Sequence, residues 1–338
     1  MTKEARRPLP GQGLRRRSLL AAAAAVVVTG RGARAEAVPE VRLGTLAFGT
    51  VRWVASVILG HGLDRAEGIV LKTETLANND SGKVALLGGA VDIIVSDWLF
   101  VGAETARGLK FRFSPFSSAT GALMLGRNST IRSFKDLRHR RLGVAGGPFD
   151  KSWMIVRAAA RRQAGIDLAR EARVVYAAPP LLNAKLEDGG LDAALTYWNY
   201  AAALEVAGLG RLVSVSECAV SLGLPAHPPL IGYVFRETWA EHAPRAVRGF
   251  LAASAAAEAL LKRSDAAWKP IRPLMHAPDD RLFVLLKQRF RAGVVPVTPA
   301  EEERAANRLF AILKQEGGQS ATGGLTNLPS GIFWSAPS

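Results

Sequence analysis

The sequence predicts an α/β fold of two similar lobes, each a mostly parallel sheet flanked by helices, joined by two crossover strands. Three observations predict it. The stretch GAVDIIVSDWLFVGAETARGL from Gly89 is echoed one hundred residues later by GGLDAALTYWNYAAALEVAGL from Gly189. In that echo Gly89, Asp92, Trp98, Gly108 and Leu109 fall opposite Gly189, Asp192, Trp198, Gly208 and Leu209, and LGTLAFGT from Leu43 pairs with LGVAGGPF from Leu142 at nearly the same offset. Short apolar runs also alternate with helix-periodic segments in both halves, the pattern of parallel strands covered by helices. Finally, 338 residues exceed one compact core and suit two lobes of roughly 100–150 residues.

In the first half, Val41–Leu46 reads as an apolar strand, followed by the turn Phe48-Gly49-Thr50 and a helix from Val51 to His61. Ile69–Thr75 alternates as a strand, and Asn78–Leu87 is a helix opened by an Asn/Asp/Ser cap cluster. Val91–Val95 is a buried strand, Trp98–Arg107 a helix stopped by Gly108, and Leu109–Phe113 a strand. The second half repeats this order. It has strands at Leu142–Ala145, Arg173–Ala177, Leu191–Thr196 and Leu212–Val215, with helices at Lys151–Ala164, Leu181–Leu186 and Trp198–Ala207. Crossings are expected near Ala122–Arg127 and Pro228–Val234. Amphipathic helices at Thr238–Lys262, Asp280–Arg291 and Pro299–Gln315 are expected to pack on the first lobe, and the Gly/Ser/Pro-rich tail 317–338 reads as irregular. The division is then 38–124 plus 230–316 for lobe 1 and 125–229 for lobe 2.

Residues 1–37 read as a processed export signal. Arg15-Arg16-Arg17 precedes Ser18-Leu19-Leu20 and an apolar run to Val28, with small-residue cleavage sites at Ala33-Arg34-Ala35 and Ala35-Glu36-Ala37. The run is about half of what spans a bilayer. Arg16-Arg17-x-Leu19-Leu20 resembles a twin-arginine address, with a general secretory signal as the alternative. Either route leads to the periplasm. The formal charge of +15 drops to +9 once this segment is removed, enough to steer anions. Arg and Lys form no stripe interleaved with aromatics, so nucleic acid is not an expected partner. Cys218 is the only cysteine, which excludes an internal disulfide and a cysteine-based zinc site.

Ligands of open α/β sheets collect at the carboxyl ends of strands. That rule selects Phe48-Gly49-Thr50 and Ser96-Asp97-Trp98 from the first lobe, and Gly146-Gly147-Pro148-Phe149-Asp150 and Thr196-Tyr197-Trp198-Asn199 from the second. Gly146-Gly147 leave backbone N–H groups free for a polar or anionic group, or simply make a tight strand-to-helix turn. Asp97 and Asp150 each precede a helix, where a carboxylate either caps free N–H groups or meets a ligand. Trp98 and Trp198 sit at matching places and either sandwich a flat or cationic ligand or pack in the core. Trp53 and Trp153 share the same offset on the helix after each first strand. Net charge favours an anion, whereas the aromatic and carboxylate content of the loops favours a neutral or cationic ring; contact groups decide fit, so the loops weigh more.

The order of these segments resembles the type 2 periplasmic solute-binding proteins, and within them the nitrate/sulfonate/taurine-type binding components of ABC transporters, which include thiamine-pyrimidine-binding relatives. The residues that carry the likeness are LGTLAFGTVRWVASVILGHGL, LLGGAVDIIVSDWLFVGA, SFKDLRHRRLGVAGGPFDKSWMIVRAA, LEDGGLDAALTYWNYAAAL and VFRETWAEHAPRAVRGFLAA, spanning about residues 40–316. The chain departs from the family at Phe48-Gly49-Thr50-Val51-Arg52-Trp53, where these proteins often carry a proline and smaller residues. The resemblance implies a monomer that takes no cofactor or metal, closes on a small-molecule solute and delivers it to an inner-membrane ABC permease. Some relatives of this fold are pyrimidine-synthesis enzymes that need a cleft histidine and lysine. Here His61, His139, His227, His242 and His276 avoid the four loops, and no GxSxG, HExxH or P-loop occurs. A periplasmic accessory protein binding a partner protein or a metal chelate is the other alternative.

Overall fold

The computed structural model describes residue 2, residues 37–294 and residues 299–335. The export-signal reading falls almost wholly outside those residues. From Pro39 onward the chain forms one compact unit.

In chain order the elements are β1 (Glu40–Leu46), α1 (Val51–Gly60), α2 (Leu63–Ala66), β2 (Val70–Leu76), α3 (Asn79–Gly88), β3 (Ile93–Ser96), α4 (Trp98–Ala106), β4 (Phe111–Ser117) and β5 (Ala122–Leu125). A 3-10 turn at Phe134–Leu137 leads to β6 (Arg141–Ala145), α5 (Lys151–Ala164), α6 (Leu168–Glu171), β7 (Arg173–Ala177), α7 (Pro179–Glu187), β8 (Ala193–Thr196), α8 (Trp198–Val206), β9 (Arg211–Ser214) and α9 (Val215–Ser221). The chain finishes with β10 (Ile231–Arg236), α10 (Glu237–His242), α11 (Pro244–Arg263), α12 (Asp280–Gly293) and α13 (Pro299–Ala321).

The strands make two five-stranded sheets, in the orders β2-β1-β3-β10-β4 and β7-β6-β8-β5-β9. The two orders are equivalent position by position. In each sheet the first three strands run parallel and the fourth is antiparallel to both its neighbours. That fourth strand is the crossover product: β5 arrives in the second sheet from the first, and β10 returns from the second to the first. Their neighbours β3 and β8 are central strands. The run Ala193–Thr196 is buried along its whole length, as expected of a central strand covered on both faces.

The one-hundred-residue echo has a structural meaning at the start of the strands. Arg42 lies near the start of β1, and its guanidinium holds Asp92 in two contacts of 3.1 and 2.6 Å while its backbone N–H donates to the same carboxylate at 2.8 Å. Arg141 does the same to Asp192 at 3.2, 2.9 and 2.7 Å. Each pair pins the first strand of its sheet to the loop entering the third. Gly89 and Gly189, just before the acids, both adopt left-handed φ (75° and 78°) and end the preceding turn, a conformation that glycine takes without a Cβ penalty.

The C-terminal segments differ from expectation in three ways. The helix expected over Thr238–Lys262 is two, because Pro244 has no N–H to give and starts a new helix instead. α11 packs on the first half against α1; α12 lies against α8 of the second half but also sends Leu282, Leu286 and Phe290 into the core around Trp53 of the first, and α13 lies against α5 of the second half. Ala306, Leu309, Phe310 and Leu313 of α13 join the core that contains Trp153 and Met154 together with Trp98 and Phe113. The tail is partly ordered: Phe113 donates to the Ile332 carbonyl at 2.8 Å and accepts from the Trp334 N–H at 2.7 Å, which covers the free edge of β4. Trp334 then meets Phe235 edge-on at 5.3 Å. Cys218 is fully buried.

Candidate functional site

Each of the four selected loops sits at the carboxyl end of β1, β3, β6 or β8, because each strand is followed directly by a helix. The turn after β1 is closed by Gly49 donating to the Leu46 carbonyl at 3.0 Å, and Thr50 precedes α1 without a side-chain cap. After β3, Asp97 caps α4, one carboxylate oxygen accepting from the Phe100 N–H at 2.9 Å. Asp150 caps α5 by accepting from Ser152 and Trp153 at 2.9 and 3.2 Å. Gly146 in the same loop has φ of 86°, and a Cβ there would lie 2.5 Å from Asp150 Oδ2, so the cap and the glycine require one another. Tyr197 precedes α8 without a side-chain cap, although Trp198 begins that helix as Trp98 begins α4.

The two halves meet through these loops. Lys151, the first residue of α5, reaches the second oxygen of Asp97 at 2.8 Å, and both side chains are largely enclosed, with 11% and 19% exposure. Burial pushes the Asp97 carboxyl upward, but the Lys151 ammonium, the Phe100 N–H and Lys83 together outweigh it and leave the group below its ordinary value. Asp150 goes the other way: burial raises it, and Asp97 adds to the rise. Burial first, then Asp150, raises the Tyr197 phenol, which lies beside the Asn79 side chain at the start of α3. One enclosed region thus holds two carboxylates, an ammonium, a phenol and an amide, drawn from both sheets. A backbone contact closes its floor: a Cβ on Gly121 would fall 1.9 Å from the Thr196 carbonyl, so the first crossover passes directly under the Thr196-Tyr197 step.

The tryptophans do not pair as their spacing suggests. Trp98 is fully buried, and its indole N–H donates to the Pro229 carbonyl of the second crossover at 2.7 Å. Trp198 lies in a different cluster, edge-on to Trp53 at 5.6 Å and near Phe290 at 6.5 Å. Trp53 donates to the Leu274 carbonyl at 3.2 Å and also meets Trp268. The two rings at matching places therefore make no contact with one another; the cross-half pair is Trp53 with Trp198. Trp153 is fully buried beneath α5. Its indole N–H has no hydrogen-bond partner among the described residues.

Among the remaining predicted residues, Ser96 is the last residue of β3 and pairs with Gly232 of β10, and Thr196 is buried with its hydroxyl unpartnered. Asn199 and Phe48 are half-buried, whereas Phe149 is exposed. Lys151 was absent from the predicted set. Its signal in the sequence is that it is the single lysine at the start of a helix in the four loops; its partner across the halves has no local signature. Asn79 likewise carries only a capping signal.

Among the described residues, no group of three or more His, Cys, Asp or Glu is placed to hold a metal ion, and no helix is long and apolar enough to cross a membrane. The chemistry of the region is hydrogen bonding and ion pairing in an enclosed space, which suits holding a polar solute.

Residues 138–271 match the NMT1-like family. No curated protein sequence matches the chain. The fold is similar to that of the alkanesulfonate-binding protein SsuA of Xanthomonas axonopodis pv. citri bound to MOPS, with a TM-score of 0.66 and 16% identity over 87% of this chain and 98% of that one. It is similar to the periplasmic aliphatic sulphonate binding protein SsuA of Escherichia coli, with a TM-score of 0.63 and 16% identity over 84% and 91%. The periplasmic nitrate-binding protein NrtA of Synechocystis PCC 6803 gives a TM-score of 0.56 at 13% identity over 88% and 92%. The architecture is therefore the periplasmic binding protein fold.

Proposed function

We propose that this chain is the periplasmic substrate-binding component of an ABC importer, a monomer that closes two lobes on a small organic solute and delivers it to an inner-membrane permease. The lobes are 38–124 plus 230–316 and 125–229, and the predicted loop residues other than Trp98, which is in the core, line the space between them together with Lys151 and Asn79. The observation that carries the reading is the Asp97–Lys151 ion pair, an enclosed contact between the two halves at the strand ends. It latches a closed state, and a solute that meets one partner competes for it. The sulfonate- and nitrate-binding names of the similar structures make anions the first class to test. The carboxylates make amines and pyrimidines the second.

No chemical step is needed for this role, and hinge closure around a ligand suffices. The test is thermal-shift screening of the exported protein against sulfonates, nitrate, pyrimidines, amines and metal chelates. A single class raises the melting temperature, and small-angle scattering shows compaction with it. For an anion the shift disappears in Lys151→Met and grows in Asp97→Asn, which frees the ammonium; for a cation the two responses exchange. No shift with any solute, together with co-purification of a partner protein, defeats the reading.

A further inference from the structure

Away from the strand-end loops, a cavity of about 840 Å³ opens between the end of β4, the connection from Gly223 to Pro229, α11, the end of α12 and the start of α13. None of the residues of the four loops lines it. Its walls combine an apolar part, including Phe116, Leu224 and Trp334, with two carboxylates, Glu258 of α11 and Glu302 of α13. Glu302 is only 8% exposed and lines the cavity. Among the described residues neither carboxylate has an ion pair or a side-chain hydrogen bond. An unpaired carboxylate in an enclosed site is costly, and burial pushes both Glu258 and Glu302 up to about 7, with Glu301 adding to the effect at Glu302.

The other ionisable groups on the walls are His227, Glu301, Arg304 and Arg308. Both arginines are exposed at its rim, whereas Glu302 is buried. Tyr233, whose hydroxyl bonds to Ser254 at 2.7 Å, lies close enough to Glu258 for the carboxylate to raise the phenol. Two unneutralised acids beside an apolar wall match the chemistry of a small amine with an apolar body.

We propose that this cavity is a second ligand site, separate from the space between the lobes, that binds a small organic ammonium ion with its charged end held by Glu258 and Glu302. The ammonium supplies the counter-charge that the protein withholds, and the apolar wall takes the carbon skeleton. The residues from Ser114 to Ser118 and from Gly223 to Pro229, which lead into the two crossovers, both contribute to the wall.

Isothermal titration of the intact protein with benzylamine at a pH one unit above the carboxyl values tests this, with benzyl alcohol as the uncharged match in shape. Benzylamine binds saturably below ~10 mM, and benzyl alcohol about tenfold or more weakly, the worth of a charged hydrogen bond. Glu302→Gln and Glu258→Gln each weaken benzylamine by a similar factor. Both substitutions remove a buried unpaired charge at constant shape, so the fold survives, as circular dichroism will show. Lys151→Met and Trp198→Ala leave the affinity unchanged. The proposal is overturned by no saturable heat, by equal binding of the alcohol, or by full affinity in both glutamine variants. Loss of affinity in Lys151→Met instead places the amine between the lobes and leaves the importer reading standing.

Discussion

The two halves are near copies at one end of their strands and unlike at the other. Where β1 and β6 begin, Arg42–Asp92 and Arg141–Asp192 repeat contact for contact. Where β3 and β8 end, one half carries Asp97, a cap that also holds Lys151, and the other carries Tyr197, with no side-chain cap. The position matching Lys151 in the first half is Val51, which is buried and apolar. What the halves share therefore serves the scaffold, fixing strand register. What they do not share supplies the polar groups of the candidate site. Trp98 and Trp198 make the same point: identical residue and position, but one ties the core to a crossover while the other meets Trp53 across the halves.

Substitutions can break or sharpen this contrast. The largest effect is expected at the tryptophans. Trp98→Ala empties a fully buried site and frees the Pro229 carbonyl, costing about 3–5 kcal/mol in urea unfolding, and Trp198→Ala costs clearly less because its neighbours lie at the junction between halves. Equal losses would mean that the two rings do one job. Next comes Lys151→Met, which strands Asp97 and costs roughly 3 kcal/mol; Asp97→Asn in the same chain restores most of it, read as the coupling in a double-mutant cycle. Asp92→Ala should cost about 1–2 kcal/mol and Asp192→Ala under about 1 kcal/mol, because the first acid is 10% exposed and the second 26%. The reverse order would show that exposure does not govern the repeated pair.

The smallest effect is on pH dependence, and its signs differ between sites. Asp97 lies below its ordinary 3.8, so its contribution is present above that pH and disappears as pH falls through the folded-state value. Glu258 and Glu302 rise from 4.5 to about 7, so their contribution is full below 4.5 and is lost as pH climbs to 7. Glu258→Gln/Glu302→Gln should therefore flatten the melting temperature between pH 5 and 7.5 without altering its acid limb, and Asp97→Asn should do the opposite.

Much of this was legible in the sequence because it is local. Asp97, Asp150 and Asn78 precede apolar-periodic runs and cap them; Gly89, Gly108, Gly189 and Gly208 end helices at left-handed φ. The order of strands followed from the alternation of apolar runs. The illegible part is long-range. Nothing local tells Trp53 from Trp153 as the partner of a ring on the other half, since both lie on the buried face of a helix after a first strand. Where α12 and α13 pack depends on which apolar surfaces of α1, α8 and α5 are left uncovered, a property of the assembled sheets. The role of Lys151 at a helix start depends on Asp97, which only the folded opposite half brings to it.

The exchange of fourth strands also sets an order of events during synthesis. All strands of the second sheet lie between Ala122 and Ser214, whereas those of the first lie between Glu40 and Arg236 with β10 last. When residue 214 has left the ribosome, the later sheet is complete and the earlier one still has a vacant lane between β3 and β4. Translation-arrested chains ending near residue 250, which leave β10 in the exit tunnel, should resist protease across 122–214 before they do so across 40–117. The half that begins second is finished first, and the half made first waits for the last strand to come home.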